Sequence, residues 1–340
     1  MLGALVSLLL PLVLGVAAGR GEWLATESVS SAQAMGALNR FALLVAFPAL
    51  VVASFLDPSR TLSLAWPLLL LSAAPQLVAV GVALLVGGRR VGRETLPSRG
   101  TLALVALFGN SAYLGLPLVE AVLGPAQLAL ASVIVSVHVA LTVMLGTALL
   151  DAQGGRRLEP RAVIGKVLKS PLAMSPIVGA LAAWALRAGG AEDHPATVAA
   201  FHALDVLGKS ASPLGIFVLG LFLGGHFLGG QPLGGQPLGA ERAGAGAGLV
   251  GQLAFALIRL ALVPALTLGF ALALRASVPI DQDTLRTLVL LSSVPAAIST
   301  FAMAEHAKAE PEAVARAIVT TSIASFITIP LWLALTSALA

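Results

Sequence analysis

Residues 108–117 read FGNSAYLGLP and lie within a run from Gly100 to Val119 that contains no charged side chain. An uncharged run of about 20 residues is long enough to cross a bilayer as a helix. Glycine and proline nonetheless weaken the helical pattern near its middle, because glycine is flexible and proline lacks a backbone N–H. In hydrocarbon, the polar groups freed by such a break need partners in protein or in a water-lined cavity. The stretch therefore predicts a membrane span that is interrupted at mid-depth.

The composition of the chain indicates a membrane protein. Of the 340 residues, 58% are hydrophobic and 11% are charged, which leaves too little polar surface for a water-soluble chain of this length. The net charge of +4 comes from basic residues in short loops between apolar runs, a pattern typical of membrane topology. We therefore expect a lipid bilayer around the chain and no nucleic-acid partner. The absence of cysteine from the sequence excludes disulfides and thiolate metal sites.

The apolar runs predict an all-α polytopic membrane protein with ten transmembrane helices of about 20 residues each. The predicted spans are 2–19, 34–56, 64–87, 100–123, 127–150, 170–187, 203–228, 249–274, 284–306 and 314–337. Ten spans place both termini on one side of the membrane. The loops on the opposite side hold the lysines and arginines at 20, 40, 89, 90, 93, 99, 156, 157, 161, 166, 169, 242, 308 and 316. The loops on the side of the termini hold only those at 60, 187, 275 and 286. Basic loops face the cytoplasm, so both termini are predicted to lie outside the cell.

The chain also reads as two related five-span units. Gly15 and Gly179 are separated by nearly the same number of residues as Pro48 and Pro213. Because each unit has an odd number of spans, the second enters the membrane upside down relative to the first. The predicted segments are a first five-helix repeat at 1–150, a short cytoplasmic loop at 151–169, and a second five-helix repeat at 170–340 that includes a flexible linker at 229–248.

Span nine carries a second interruption, at the place that corresponds to the one in span four. SSVPAAIST at 292–300 combines serines with a proline. A lone proline is more often an ordinary kink packed against its neighbours, whereas paired interruptions in corresponding spans favour a transport site. The second half of each broken helix begins at mid-depth, so N–H groups near Leu114 and near Ala297 suit a carboxylate.

Several stretches resemble the auxin efflux carrier family. They are LNRFALLVAFPAL (38–50), GNSAYLGLPLVEAVLG (109–124), KSPLAMSPIVGAL (169–181), SPLGIFVLGLFLG (212–224) and the run that begins VPAAISTFAMAEH (294–335). The family includes plant auxin exporters and bacterial permeases for malate and malonate. The resemblance implies inverted repeats whose spans four and nine cross at mid-membrane, as in sodium–proton antiporters and bile-acid symporters. It also implies substrate binding beside the crossing and elevator-type alternating access, and it is compatible with a homodimer.

Family roles carry over to individual residues. Asn110 matches the crossover asparagine, Pro117 the proline of the same element and Pro295 the first proline of the span nine crossover. Thr300 stands where plant members have a second proline, and His138 aligns with a glutamine that contributes to the pocket in plant members. The predicted substrate-binding residues are Asn110, Ser111, Tyr113, Gly115, Pro117, His138, Ser293, Pro295, Ser299 and Thr300.

Neutral donors at the crossing predict a secondary transporter that exports small organic anions, that is carboxylates, including auxin-like indole acids. Leu172 stands where plant members have an asparagine near the substrate, which argues against auxin itself. The nearest acids along the two spans are Glu120 and Glu305, whereas a cation exchanger needs a carboxylate at the crossing. A sodium- or proton-coupled symporter or antiporter on the same architecture is the alternative. The predicted location is the bacterial inner (plasma) membrane.

Three polar residues within spans have a simpler reading. Lys209 and Arg259 are expected toward span ends, with side chains that extend to the membrane interface as anchors. His138 is either a packing residue or a pocket residue, with proton coupling open in the second case. The sequence contains no Ser-His-Asp, HExxH or paired-carboxylate pattern, so we expect neither an enzyme nor a metal site, and no cofactor.

Overall fold

The computed structural model describes residues 2–26, 28–57, 66–153, 160–225, 248–278 and 280–339. In this part of the chain the helices are α1 Leu2–Arg20, α2 Ser31–Phe41, α3 Phe47–Leu56, α4 Trp66–Val86, α5 Arg99–Leu107, α6 Leu116–Leu123, α7 Leu128–Leu141, α8 Thr147–Gln153, α9 Pro160–Leu168, α10 Pro171–Ala188, α11 Pro195–Lys209, α12 Ala211–Leu223, α13 Leu249–Ala256, α14 Val263–Leu274, α15 Gln282–Ser292, α16 Ile298–Ala307 and α17 Pro311–Ala338. Shorter π-helical turns are Ala42–Ala46, Ser111–Gly115, Thr142–Gly146 and Leu257–Leu262. Arg90–Val91 and Glu94–Thr95 form a short antiparallel hairpin.

Seven helical stretches are long and apolar enough to cross a membrane. They are Gln33–Leu56, Pro67–Val86, Pro125–Leu150, Pro171–Ala188, Pro195–Leu223, Leu249–Leu274 and Pro311–Ala338. Two shorter apolar helices are Leu9–Arg20 and Ser111–Leu123. The prediction of an all-α polytopic membrane protein is thereby confirmed. Predicted spans four and nine are not among the seven because each consists of two shorter helices.

Some predicted boundaries differ from the structure. The helical stretch that corresponds to span seven begins at Pro195 instead of residue 203, because Pro195 stands in the first turn of α11, where its missing N–H costs nothing. The segment predicted as a cytoplasmic loop at 151–169 contains α9. The predicted linker at 229–248 lies outside the described residues except for Gly248.

The chain divides into two compact units. Unit 1 comprises Met1–Leu64, Ala112–Ser136 and Val167–Pro237, and unit 2 comprises Ala65–Ser111, Val137–Lys166 and Leu238–Ala340. Each unit takes segments from both predicted repeats, 1–150 and 170–340, so the two repeats stay a prediction.

Unit 1 contains a close pair of helices. α1 packs along α12, and glycines one helical turn apart lie on both sides of the contact, Gly15 and Gly19 on α1, and Gly220 on α12 with Gly224 directly after its last residue. A Cβ at Gly15 would overlap the carbonyl of Phe217. Small residues at this spacing let helix backbones approach closely in a membrane, where packing replaces the hydrophobic effect between helices.

Unit 2 contains the two half-helices α5 and α15. Residues 100–107 of α5 are all buried, and so are Leu285 and residues 287–292 of α15. A helix that is buried around its whole circumference must be enclosed by other helices. α4 packs against α5 and α14, and α17 packs against α13, α15 and α16. The enclosing helices thus hold both half-helices with their C-terminal ends inside unit 2.

Candidate functional site

The two interrupted helices of unit 2 stop inside the protein. α5 ends at Leu107 and α15 at Ser292, and residues 108–110 and 293–297 that follow are not helical. The interruption in span four is shorter than predicted, since the chain is helical again from Ser111. Pro117 is the second residue of α6, so its missing N–H falls in the first turn, directly after a wide π-helical turn.

The two non-helical segments meet at their backbones. Gly109 and Ala296 pair as an isolated antiparallel bridge. The two hydrogen bonds of the bridge run from Asn110 N–H to the Pro295 carbonyl at 2.7 Å and from Ala297 N–H to the Phe108 carbonyl at 3.0 Å. We call residues 108–110 and 293–297 together the crossing. Each segment thereby satisfies backbone groups of the other, which an interrupted helix requires inside a membrane.

Arg259 contacts the crossing. It lies in the π-helical turn Leu257–Leu262, which directly follows α13. Its side chain is fully buried, with an exposed fraction of 0%. The Nε donates to the Val294 carbonyl at 2.9 Å and the Nη1 to the Ala106 carbonyl at 3.0 Å. The Nη2 donates to the Ser292 carbonyl at 3.2 Å. The guanidinium therefore joins the carbonyl ends of α5 and α15, which no longer have helical partners.

The expectation that Arg259 extends to the membrane interface is wrong. All three nitrogens of the guanidinium are bound to main-chain carbonyls inside unit 2. A helix C-terminus carries roughly half a negative charge, so two such ends offset the charge that burial would otherwise penalise. The sequence signal was a charged residue well inside the apolar run 249–274, which in a membrane span indicates a functional role.

Gly109 provides the space for this guanidinium. A Cβ at residue 109 would overlap the Nη2 of Arg259 and lie 3.0 Å from its Nε. The glycine in FGNSAYLGLP is therefore required for close packing of an arginine, in addition to its effect on the helix.

Two polar side chains, one in the crossing and one three residues after it, have atoms without partners. Asn110 is 2% exposed and Thr300 is 0% exposed. Within the described residues, neither Asn110 Nδ2 nor Thr300 Oγ1 has a hydrogen-bond partner. A buried polar group without a partner costs about 1–3 kcal/mol, so such groups indicate a position where a ligand or water binds. α16 starts at Ile298, two residues before Thr300, so the positive N-terminal end of this helix lies next to Thr300.

The other predicted residues of unit 2 have different surroundings. Ser111 is buried, with its Oγ 3.5 Å from the Gly109 carbonyl. Ser293 is buried at the crossing, but its hydroxyl donates to the Leu290 carbonyl at 2.9 Å. Ser299, in the first turn of α16, is partly exposed. Unit 2 thus brings Asn110, Ser111, Ser293 and Pro295 together through the crossing.

Three predicted site residues belong to unit 1. The Tyr113 hydroxyl donates to the side-chain oxygen of Asn39, and its ring centroid is 5.2 Å from that of Phe47. Gly115 closes the π-helical turn Ser111–Gly115, and Pro117 is buried in α6. Within unit 1, Tyr113 is therefore fixed by packing and by a hydrogen bond.

His138 lies on α7 and is bound to α4. It is 3% exposed, and its Nε2 is 3.2 Å from the Ser72 carbonyl. A carbonyl accepts only, so Nε2 carries the proton in this contact. The Thr142 hydroxyl donates to the His138 carbonyl at 2.8 Å. These contacts give His138 a packing role, and a pocket role stays a prediction.

The comparison with known families agrees with this architecture. A family model described as "Membrane transport protein" matches residues 2–333. The match spans nearly the whole chain, so the protein is of the membrane transporter class and crosses the membrane several times. The chain belongs to the auxin efflux carrier family, as the sequence resemblance indicated. Among curated proteins, none matches the chain.

The contact between Gly109 and Arg259 can be tested by substitution. We expect Gly109→Ala to lower the free energy of unfolding by about 1–3 kcal/mol, because the added methyl displaces a buried guanidinium and strains its three hydrogen bonds. Gly81→Ala on α4 is the control, since a Cβ there meets no atom within 4 Å. Thermal unfolding of the purified protein in detergent, followed by tryptophan fluorescence, measures both. Equal melting temperatures for the two variants would contradict the packing described here.

Proposed function

We propose that this protein is a secondary transporter that exports small organic anions, with the anion bound beside the crossing. The observation that carries the proposal is the buried Asn110, whose amide nitrogen has no partner within the described residues. A neutral amide donates to a carboxylate without placing a fixed charge in the membrane. Membership of a family of membrane transport proteins supports the same reading.

The charges around the crossing also favour an anion. Arginine stays protonated in proteins, and within the described residues Arg259 has hydrogen bonds only to main-chain carbonyls. The C-terminal ends of α5 and α15 contribute roughly half a negative charge each, and the helical N-terminal ends at Ser111 and Ile298 roughly half a positive charge each. The sum is about one positive charge, which suits a carboxylate.

The proposal includes the finer architecture predicted from the sequence. It has ten transmembrane helices in two inverted five-helix repeats, both termini outside the bacterial inner membrane, and elevator-type alternating access in which the crossing moves with its anion. A homodimer is the proposed assembly. With the cell interior negative, outward movement of one negative charge is favoured by about 2.3 kcal/mol per 100 mV. Export therefore needs no coupled ion.

The ten residues predicted from the sequence remain the proposed substrate-binding set. Asn110 and Thr300 have the strongest support, because each is buried with an unpartnered polar atom. Ser111 and Ser299 add hydroxyl groups beside the helical N-terminal ends. Carboxylates, including auxin-like indole acids, are the proposed substrates.

Asn110 is the residue to change first. We expect Asn110→Ala to lower the flux of radiolabelled indole-3-acetate or malonate in proteoliposomes by about tenfold or more, because a buried hydrogen bond to a charged group is lost. Asn110→Asp should do the same, since a second carboxylate repels the anion. Ser277→Ala is the control, at an exposed turn. Wild-type flux in both Asn110 variants would exclude the crossing from substrate binding.

The alternative is a sodium-coupled carrier on the same architecture, and ligand stabilisation distinguishes the two. A ligand that binds the folded state at 100 times its Kd adds about 2.7 kcal/mol of stability. We expect no rise in melting temperature when sodium chloride replaces choline chloride at equal ionic strength. A sodium-dependent rise would favour the coupled symporter or antiporter.

Proton coupling is tested at His138. Because its Nε2 faces the Ser72 carbonyl at 3.2 Å, we expect His138→Gln to keep a donor to that carbonyl and to leave the pH profile of carboxylate flux unchanged. The profile is measured between about pH 6 and 8, where carboxylates with a pKa near 4 stay ionised and an ordinary histidine titrates. A flat profile in the variant beside a steep one in the wild type would make His138 the proton carrier.

A further inference from the structure

Two N–H groups of the Arg259 guanidinium have no hydrogen-bond partner within the described residues. It carries five N–H groups, and within the described residues one from each nitrogen is donated to a carbonyl, those of Val294, Ala106 and Ser292. One N–H remains on each of Nη1 and Nη2. No carboxylate of the described residues forms an ion pair with Arg259. The positive charge at the crossing therefore has dipoles around it and no ionic partner.

Arg259 is also fixed to the crossing. Its three bonds reach both half-helices, α5 through Ala106 and α15 through Ser292, with Val294 in the crossing itself. The side chain has an exposed fraction of 0%, and Gly109 closes one face of the guanidinium. Any movement of the crossing across the membrane would thus carry this charge with it.

We propose that Arg259 is the resident countercharge of the carrier, which makes the complex with a monovalent carboxylate electrically neutral and leaves the empty carrier with one positive charge. The inference rests on the proposed function, since it needs a crossing that moves with its anion. The membrane potential then acts on the return of the empty carrier and leaves the loaded step unaffected. In a cation-coupled carrier the compensating charge is a bound ion that dissociates, whereas here it is a side chain that stays.

Exchange and net efflux separate the two steps. In exchange, saturating substrate on both sides keeps the carrier loaded, so it crosses the membrane only with substrate bound. In net efflux the empty carrier must return. A full elementary charge that crosses 100 mV changes an equilibrium by at most about 50-fold, so a charged step is readily distinguished from a neutral one. Both measurements are independent of the orientation in which the protein inserts into the vesicle.

The experiment uses the full chain in proteoliposomes with radiolabelled indole-3-acetate, and potassium with valinomycin sets the potential. For the wild type we expect the same exchange rate at 0 and at about −100 mV, while net efflux rises about threefold or more at the negative potential. A pH-indicator dye in the lumen should record no proton movement with net efflux beyond that of protein-free vesicles. Potential-dependent wild-type exchange, or a proton carried with each anion, would overturn the inference and leave the proposed function intact.

Two variants test the charge itself. In Arg259→Gln the loaded carrier has one negative charge, so exchange should slow about threefold or more at potentials of either sign. Arg259→Lys keeps the charge but not the three-way geometry, so its exchange should be slower than that of the wild type and still independent of potential. A purely structural role would lower the rate in both variants and leave exchange independent of potential in Arg259→Gln, which contradicts the proposal. If wild-type vesicles carry neither indole-3-acetate nor malonate above protein-free vesicles, the proposed function and this inference both fail.

Discussion

The structure of unit 2 depends on one guanidinium that binds three main-chain carbonyls. A charged side chain at the centre of a membrane costs about 2.5–3.5 kcal/mol even on the mildest scales, so Arg259 needs strong acceptors. A continuous helix cannot provide them, because its carbonyls are already bonded within the helix. The ends of α5 and α15 can, and they provide Ala106 and Ser292. The two interrupted helices therefore provide the free carbonyls that the buried arginine needs, and the arginine provides the donors that these carbonyls need.

Several local features follow from that arrangement. Gly109 lacks a side chain where the guanidinium lies. Arg259 itself sits in a π-helical turn, a form of helix that occurs frequently at functional sites. Ala296 donates its N–H to the Thr321 hydroxyl at 3.1 Å, so α17 also holds the crossing. Asn110 has its backbone committed to Pro295 at 2.7 Å while its side-chain nitrogen lacks a partner. The backbone of the crossing is therefore held by hydrogen bonds, while the Asn110 side chain has an available donor.

The sequence predicted the class of protein and the positions of the interruptions. Gly109, Asn110 and Pro295 are residues that disfavour a regular helix, and in apolar runs such signals are easy to recognise. The sequence predicts the wrong surroundings for Arg259, because hydropathy treats a charge in a span as a cost that is relieved at the membrane surface. Its partners belong to helices more than 30 residues away in sequence on one side and about 150 on the other. Only the packing of the helices brings those carbonyls together, so no local pattern indicated it.

Other differences have the same origin. Pro117 predicted a longer interruption, but a wide turn at Ser111–Gly115 lets the helix resume before it. The sequence alone does not decide between a packing role and a pocket role for His138, whose hydrogen-bond partner is the carbonyl of Ser72 on another helix. In both cases the residue type limits the possible structures, and the surrounding structure determines which of them forms.

The most direct test of an anion at the crossing is a structure of the protein with a brominated aromatic carboxylate, with the bromine located by anomalous diffraction. We expect one bromine position beside the crossing, with the carboxylate within hydrogen-bonding distance of Asn110 Nδ2. A bromine position away from Asn110, or a bound cation in place of the carboxylate, would contradict this expectation.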